Sequence, residues 1–408
     1  MKKIISIFLC LTMCLSFASC SFSQKEQGNV KEDYDYSEDY MSMYRINSSN
    51  SGSISTVKSS KGKYYFNIGN IGHDKCPIYE LSALDFNKSC ENENFLTYNN
   101  RDEYYCNYGK EFFKFANLEN CSGDGAIELI QTYKNYLYVL INSSIYKINC
   151  DNAEDYSKIY PINEDDDAGT FFFYKDEMYI LSSNEDNVAI TRADLNGNVL
   201  GEVINGGAGF PSARNDELYN IYASGDYLYF IMRQDGRESN IFLYCRCKLD
   251  GSDKQVWKIA DSEFKFVANE KNIATVSRHY DYELESYTGL DIEIYNSKDL
   301  LSIKKFSVQV NDEIKEWLTD EGLVFFVFPV FYNQNSIEID INNNSFYMTE
   351  WSSQSLIIDT NTELARFSSF NGLITRPSND ETFTARWEMT SDESAKLYFY
   401  KVDTSWHE

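Results

Sequence analysis

The stretch best equipped for acid–base chemistry runs from Ser277 to Glu285, SRHYDYELE, where His279 stands close to Asp281, Glu283 and Glu285. Alternate residues of an extended chain share a face, so such carboxylates would raise one another's pKa beside an imidazole. The plainer reading is a solvated strand extension. Cys245 and Cys247 lie two apart, hence on one face of a strand. A zinc site takes about four ligands, and the three histidines, His73, His279 and His407, are all distant in sequence. The pair therefore reads as two thiols on a strand face. From Asn163 to Gly169, NEDDDAG is dense in the oxygen ligands calcium prefers but lacks the register of an EF-hand loop, so it reads as an acidic turn. Gly206 to Gly209, GGAG, has no Lys-Ser/Thr after it and cannot be a phosphate loop. Neither G-x-S-x-G nor H-E-x-x-H occurs. No catalytic, cofactor-binding or metal residue is assigned from the sequence. An enzyme remains open, with the balance against one.

Cys20 carries chemistry of another kind. Lys2 and Lys3 precede an apolar run from Ile4 to Ala18, the layout of a secretory signal. The run ends in Phe17-Ala18-Ser19-Cys20, which resembles the lipobox of bacterial lipoproteins. That resemblance implies cleavage before Cys20 and a diacylglycerol on its sulfur. Residues 1–19 are then a lipoprotein signal peptide, and 20–39 a flexible acidic tether to a domain over 40–408. No later apolar run approaches the ~18 residues of a spanning helix. Acyl chains would hold the protein on the extracytoplasmic side of the cell membrane.

Seven further cysteines follow: Cys76, Cys90, Cys106, Cys121, Cys150, Cys245 and Cys247. An odd number leaves at least one unpaired among themselves. Cys76–Cys90 and Cys106–Cys121 are the pairings that fall within one repeat. With 37 basic residues against 63 acidic, the net charge is −26, which repels phosphate backbones and argues against nucleic acid as a partner.

The elements that position these residues are repeated. An apolar run, a polar turn and a second apolar run recur eight times, with turns at Gly62, Asp102, Asn135, Asp176, Asp226, Lys271, Glu321 and Glu381. This is hairpin chemistry. A third apolar run ending in an acid or amide follows each, as in FLYCRCKLDGSD. Hairpin, third strand and variable fourth strand over about 45 residues make one blade of a β-propeller. The expected fold is all-β: a propeller of eight blades, with seven as the alternative. Tyr40 to Ile46, YMSMYRI, alternates and is expected to pair into the last blade and close the ring.

Tyr227-Leu-Tyr-Phe230, then Phe242-Leu-Tyr244 and Lys248-Leu-Asp-Gly-Ser252, resemble the blades of bacterial extracytoplasmic propellers of the low-density-lipoprotein-receptor and TolB types. The resemblance implies architecture and carries over no functional residue. With the anchor, it suggests a non-enzymatic binding or scaffold module for a protein or carbohydrate at the cell surface. The alternatives are a carbohydrate-active glycosidase or lyase, which needs a convergent carboxylate pair, and an envelope-assembly factor.

Overall fold

The computed structural model describes residues 40–42, 55–67, 78–82, 96–99, 103–106, 110–113, 127–141, 144–161, 167–184, 187–206, 218–234, 241–260, 265–281, 283, 286–308, 310–311, 314, 328–333, 336–343, 352–367, 373–378, 381–391 and 394–401. Among them no helix is long and apolar enough to cross a membrane.

β1 (Tyr40–Ser42) comes first, followed by β2 (Ser55–Lys58), β3 (Tyr64–Asn67) and β4 (Ile78–Leu81). Then come β5 (Leu96–Asn99), β6 (Glu103–Cys106) and β7 (Lys110–Phe113). β2, β3, β4 and β7 form the first sheet. The second sheet is β8 (Ile127–Tyr133), β9 (Tyr136–Ile141), β10 (Ser144–Asn149) and β11 (Asn152–Pro161). The third is β12 (Asp167–Tyr174), β13 (Glu177–Asn184), β14 (Asn187–Ala193) and β15 (Val199–Asn205). The fourth holds β16 (Leu218–Ser224), β17 (Tyr227–Gln234), β18 (Ile241–Lys248) and β19 (Gln255–Ala260). The fifth holds β20 (Lys265–Ala268), β21 (Asn272–Asp281), β22 (Ser286–Asn296) and β23 (Ser302–Ser307). The sixth is β24 (Phe328–Asn333), β25 (Ser336–Asn343), β26 (Ser352–Asp359) and β27 (Leu364–Phe367). β28 (Leu373–Ser378), β29 (Glu381–Ser391) and β30 (Ser394–Lys401) make the last, with β5 and β6 added beyond β30.

Successive sheets adjoin through their first strands: β2 by β8, β8 by β12, β16 by β20, β20 by β24. β26 adjoins β28, and β28 adjoins β2, which closes the circuit. Four-stranded antiparallel sheets set around a ring are a β-propeller. Each sheet is covered on both faces by its neighbours. The second strands therefore read as near-continuous apolar runs, such as YLYVLI with five of six residues buried. The core between the second, third and fourth sheets is aromatic: Phe172 stacks on Tyr179 at 5.3 Å and Tyr133 on Phe173 at 4.8 Å. Each such ring contributes ~1.5–3 kcal/mol by leaving water.

Two expectations are corrected. The hairpin around Asp102 forms, but β5 pairs with β30 (Leu96 opposite Leu397), so it extends the last sheet and founds no blade of its own. The first sheet adjoins the last, so an excursion between β4 and β7 reaches the open edge of β30. That excursion performs the closure expected of residues 40–46. β1 pairs instead with β16, Tyr40 opposite Ser224 and Ser42 opposite Tyr222, and lies between β12 and β16. With β30 already paired, the free inner edge of β16 is what remains for β1 to satisfy. Residues 43–46 lie outside the described residues. In the sixth sheet Glu321 also lies outside them; Ser336–Asn343 is the second strand, paired with Phe328–Asn333.

Candidate functional site: the His279 ribbon

The turns sort onto two ends of the ring. Connections between first and second strands, and between third and fourth, share one end because successive strands are antiparallel. Contacts confirm it: Cys150 N donates to Asn135 O, Leu249 N to Asp226 O, and Ser297 N to Lys271 O. This turn end is stitched from sheet to sheet. Lys134 Nζ meets Asp176 Oδ1 at 2.7 Å, and Lys175 Nζ meets Asp226 Oδ1 at 3.0 Å. Tyr133 donates its hydroxyl to Asp176, and Tyr174 donates to Gly225 O. Lys175 and Asp176 both have positive φ, 48° and 63°, as a tight hairpin turn of the right twist requires.

The opposite end carries the longest described ribbon. β20 pairs with β21 only as far as Val276, and β23 with β22 only as far as Asp291. Beyond those points His279–Asp281 pair only with Ser286–Gly289. A bulge between His279 and Tyr280 re-aims the side chains that follow. Arg278 and Tyr280 are exposed there. His279 Nδ1 lies 3.0 Å from Asp291 Oδ2, while Ser307 Oγ donates to Asp291 Oδ1 at 2.6 Å. The carboxylate thus stands between the hydroxyl and the imidazole, across β21, β22 and β23. In a hydrolytic triad the imidazole must stand between them to take the serine proton. Here Asp291 meets Nδ1 and orients the ring instead.

Ser277–Asp281 forms the end of β21, a strand extension, the plainer of the two readings. The carboxylate that meets His279 is Asp291, twelve residues on; Asp281 accepts the backbone N–H of Glu283 in a local turn, and Glu285 lies outside the described residues. Cys245 and Cys247 are fully buried in the core, opposite Phe230 and Leu228. Burial raises both thiols, Cys247 to about 12. Among the described residues no three His, Cys, Asp or Glu side chains are grouped to hold a metal. Asn163–Asp166, residues 207–209, Cys20, Cys76, Cys90 and Cys121 lie outside the described residues, as do the side chains of Asp167 and Cys106.

Sequence reasoning missed the residues that tie sheet to sheet. Arg246, 3% exposed, donates to Ser297 O, Lys298 O and Gln255 Oε1, and lies over the Tyr227 ring at 4.3 Å. The neighbouring Tyr229 is raised to about 12 by burial, with Arg246 pulling the other way. Lys304 reaches Thr360 O and Glu363 in the next sheet. The recurring Tyr-Lys-Asn and Tyr-Lys-Asp at 133–135 and 174–176 were the available signal.

The fold and this ribbon define a β-propeller with a polar, partly exposed ribbon at one end. No family model and no curated protein matches the chain. Among solved structures it is similar to an oligogalacturonate lyase in complex with manganese, at 8% identity and TM-score 0.49, over 87% of this chain and 92% of the other. A putative TolB from Agrobacterium tumefaciens matches at 10% identity and TM-score 0.36, over 75% and 97%. A prolyl endopeptidase matches at 10% identity and TM-score 0.34, over 65% of this chain; the chain spans 36% of that protein's length.

Proposed function

We propose that the protein is an extracytoplasmic lipoprotein, anchored through Cys20, whose propeller (residues 40–408) binds a protein or carbohydrate ligand at the cell surface without transforming it. The observation that carries the reading is the ribbon itself. It projects past its own sheet and presents Arg278, His279 and Tyr280, residue types that combine a flat contact face with directed hydrogen bonds. Its histidine is held by a carboxylate in an order suited to orientation and unsuited to nucleophilic attack. A rigid ring with a variable ribbon at one end is a common plan for recognition.

A photo-crosslinking residue at position 280, expressed on whole cells, tests this. The reading predicts discrete adducts to a protein or glycan that are absent when the crosslinker replaces Glu202 on an outer strand. Equal adduct patterns at 280 and 202, or none at either, contradict it.

A further inference from the structure

The turn end of the ring carries exposed aliphatic side chains at equivalent places. Val199 and Leu200, 60% and 47% exposed, open the outer strand of the third sheet. Leu301 and Ile303, 64% and 58% exposed, flank the start of the outer strand in the fifth. Leu364, 51% exposed, begins it in the sixth. Each follows directly on the turn between third and fourth strands, so all stand at the rim of the same end. Exposed lysines share that end, among them Lys248, Lys271 and Lys298. Single exposed aliphatics need no explanation; a cluster at the start of the outer strand on three sheets does.

A second observation concerns the start of the described chain. Tyr40 pairs with Ser224, the residue before the Gly225–Asp226 turn, and β1 then runs antiparallel to β16 away from the turns. Tyr40, the first described residue, thus stands at the turn end. Twenty residues separate Cys20 from Tyr40, a length that spans at most about 70 Å.

We propose that this rim is a lipid-docking surface: it rests on the outer leaflet of a zwitterionic bilayer, with the aliphatics at the headgroup boundary and the ribbon directed away. Lysine stems suit that boundary, since they lie along apolar surface while their ammonium groups reach the headgroups. The chain's net charge of −26 selects zwitterionic over anionic lipid. Why a membrane is near rests on the Cys20 reading; the surface itself does not.

The test therefore removes the anchor. The chain from Ser21 onward, lacking both the apolar leader and the acylated cysteine, is floated with phosphatidylcholine vesicles. Association is expected to fall at least fivefold when Leu301→Glu and Leu364→Glu are combined, with the unfolding midpoint unchanged. Ile259→Glu, at an equally exposed residue near the other end of an outer strand, is expected to leave association intact. No vesicle association, equal association in the double variant, or an equal loss with Ile259→Glu overturns the proposal. So does a dimer in sedimentation that the double variant abolishes, since the rim would then fit a second copy. Fatty-acid labelling of the unaltered chain reports on the anchor separately.

Discussion

Gly251, in the turn after β18, lies so close to Val203 of the preceding sheet that a Cβ there would stand 2.5 Å from the Val203 carbonyl oxygen. Its φ is +82°. The Asp-Gly turn is thus a wedge against the neighbouring sheet, and Gly197 repeats it against Ile159. Both conditions, left-handed backbone and close approach, demand glycine. Gly251→Ala is expected to cost about 2–4 kcal/mol. Gly225→Ala, at φ +59° with nothing within 4 Å, is expected to cost only about 1 kcal/mol. Denaturant midpoints for the two variants decide; equal losses contradict the wedge.

Arg246 is the tie between the fourth and fifth sheets. Arg246→Met strands the buried Ser297 carbonyl and the part-buried Lys298 carbonyl and is expected to cost about 3 kcal/mol. Arg246→Lys is expected to recover little, because one ammonium cannot reach Ser297, Lys298 and Gln255 together. Full recovery by lysine in chemical denaturation would show that charge alone matters.

The surface pair of Lys175 with Asp226 is expected to matter less than it looks. Side-chain exposures of 41% and 81% leave it screened. Lys175→Ala is expected to change stability by under about 0.5 kcal/mol. Tyr174→Phe, which removes a hydroxyl bonded to Gly225 O, is expected to cost about 1 kcal/mol. Thermal melts in low and high salt distinguish the two: only the first effect shrinks with salt.

Stability is expected to fall in acid. Burial alone would raise Glu293, but hydrogen bonds from Tyr295, Lys258 and Ser302 outweigh it and hold the carboxyl below the ordinary range. A carboxylate with a lowered folded pKa stabilises fully above its unfolded value, about 4.3, and loses that contribution as pH falls through the folded one. The denaturant midpoint is expected to hold from neutrality to about pH 5 and drop below about 4.3, with a shallower drop in Glu293→Gln. Parallel curves for the two proteins would remove Glu293 from the account.

The hairpins were legible because turn residues stand between runs that suit strands: Lys134-Asn135, Lys175-Asp176 and Gly225-Asp226 are each flanked by Tyr or Ser and then Tyr, Glu or Met. What local pattern cannot specify is which edge a hairpin joins. β5 and β6 look like any other copy, and only the adjacency of β2 and β28 sends them to β30. β1 failed for the same reason, since several open edges would accept its alternation. At the site, His279 was singled out for its neighbours in sequence, yet its partner Asp291 is chosen by strand register, which a bulge shifts locally.

Anchoring of the propeller at the membrane through Cys20 is tested by feeding cells an isotope-labelled fatty acid and isolating the protein. The prediction is label on the unaltered chain and none on Cys20→Ala. An unlabelled native chain, or equal labelling of Cys20→Ala, would contradict it.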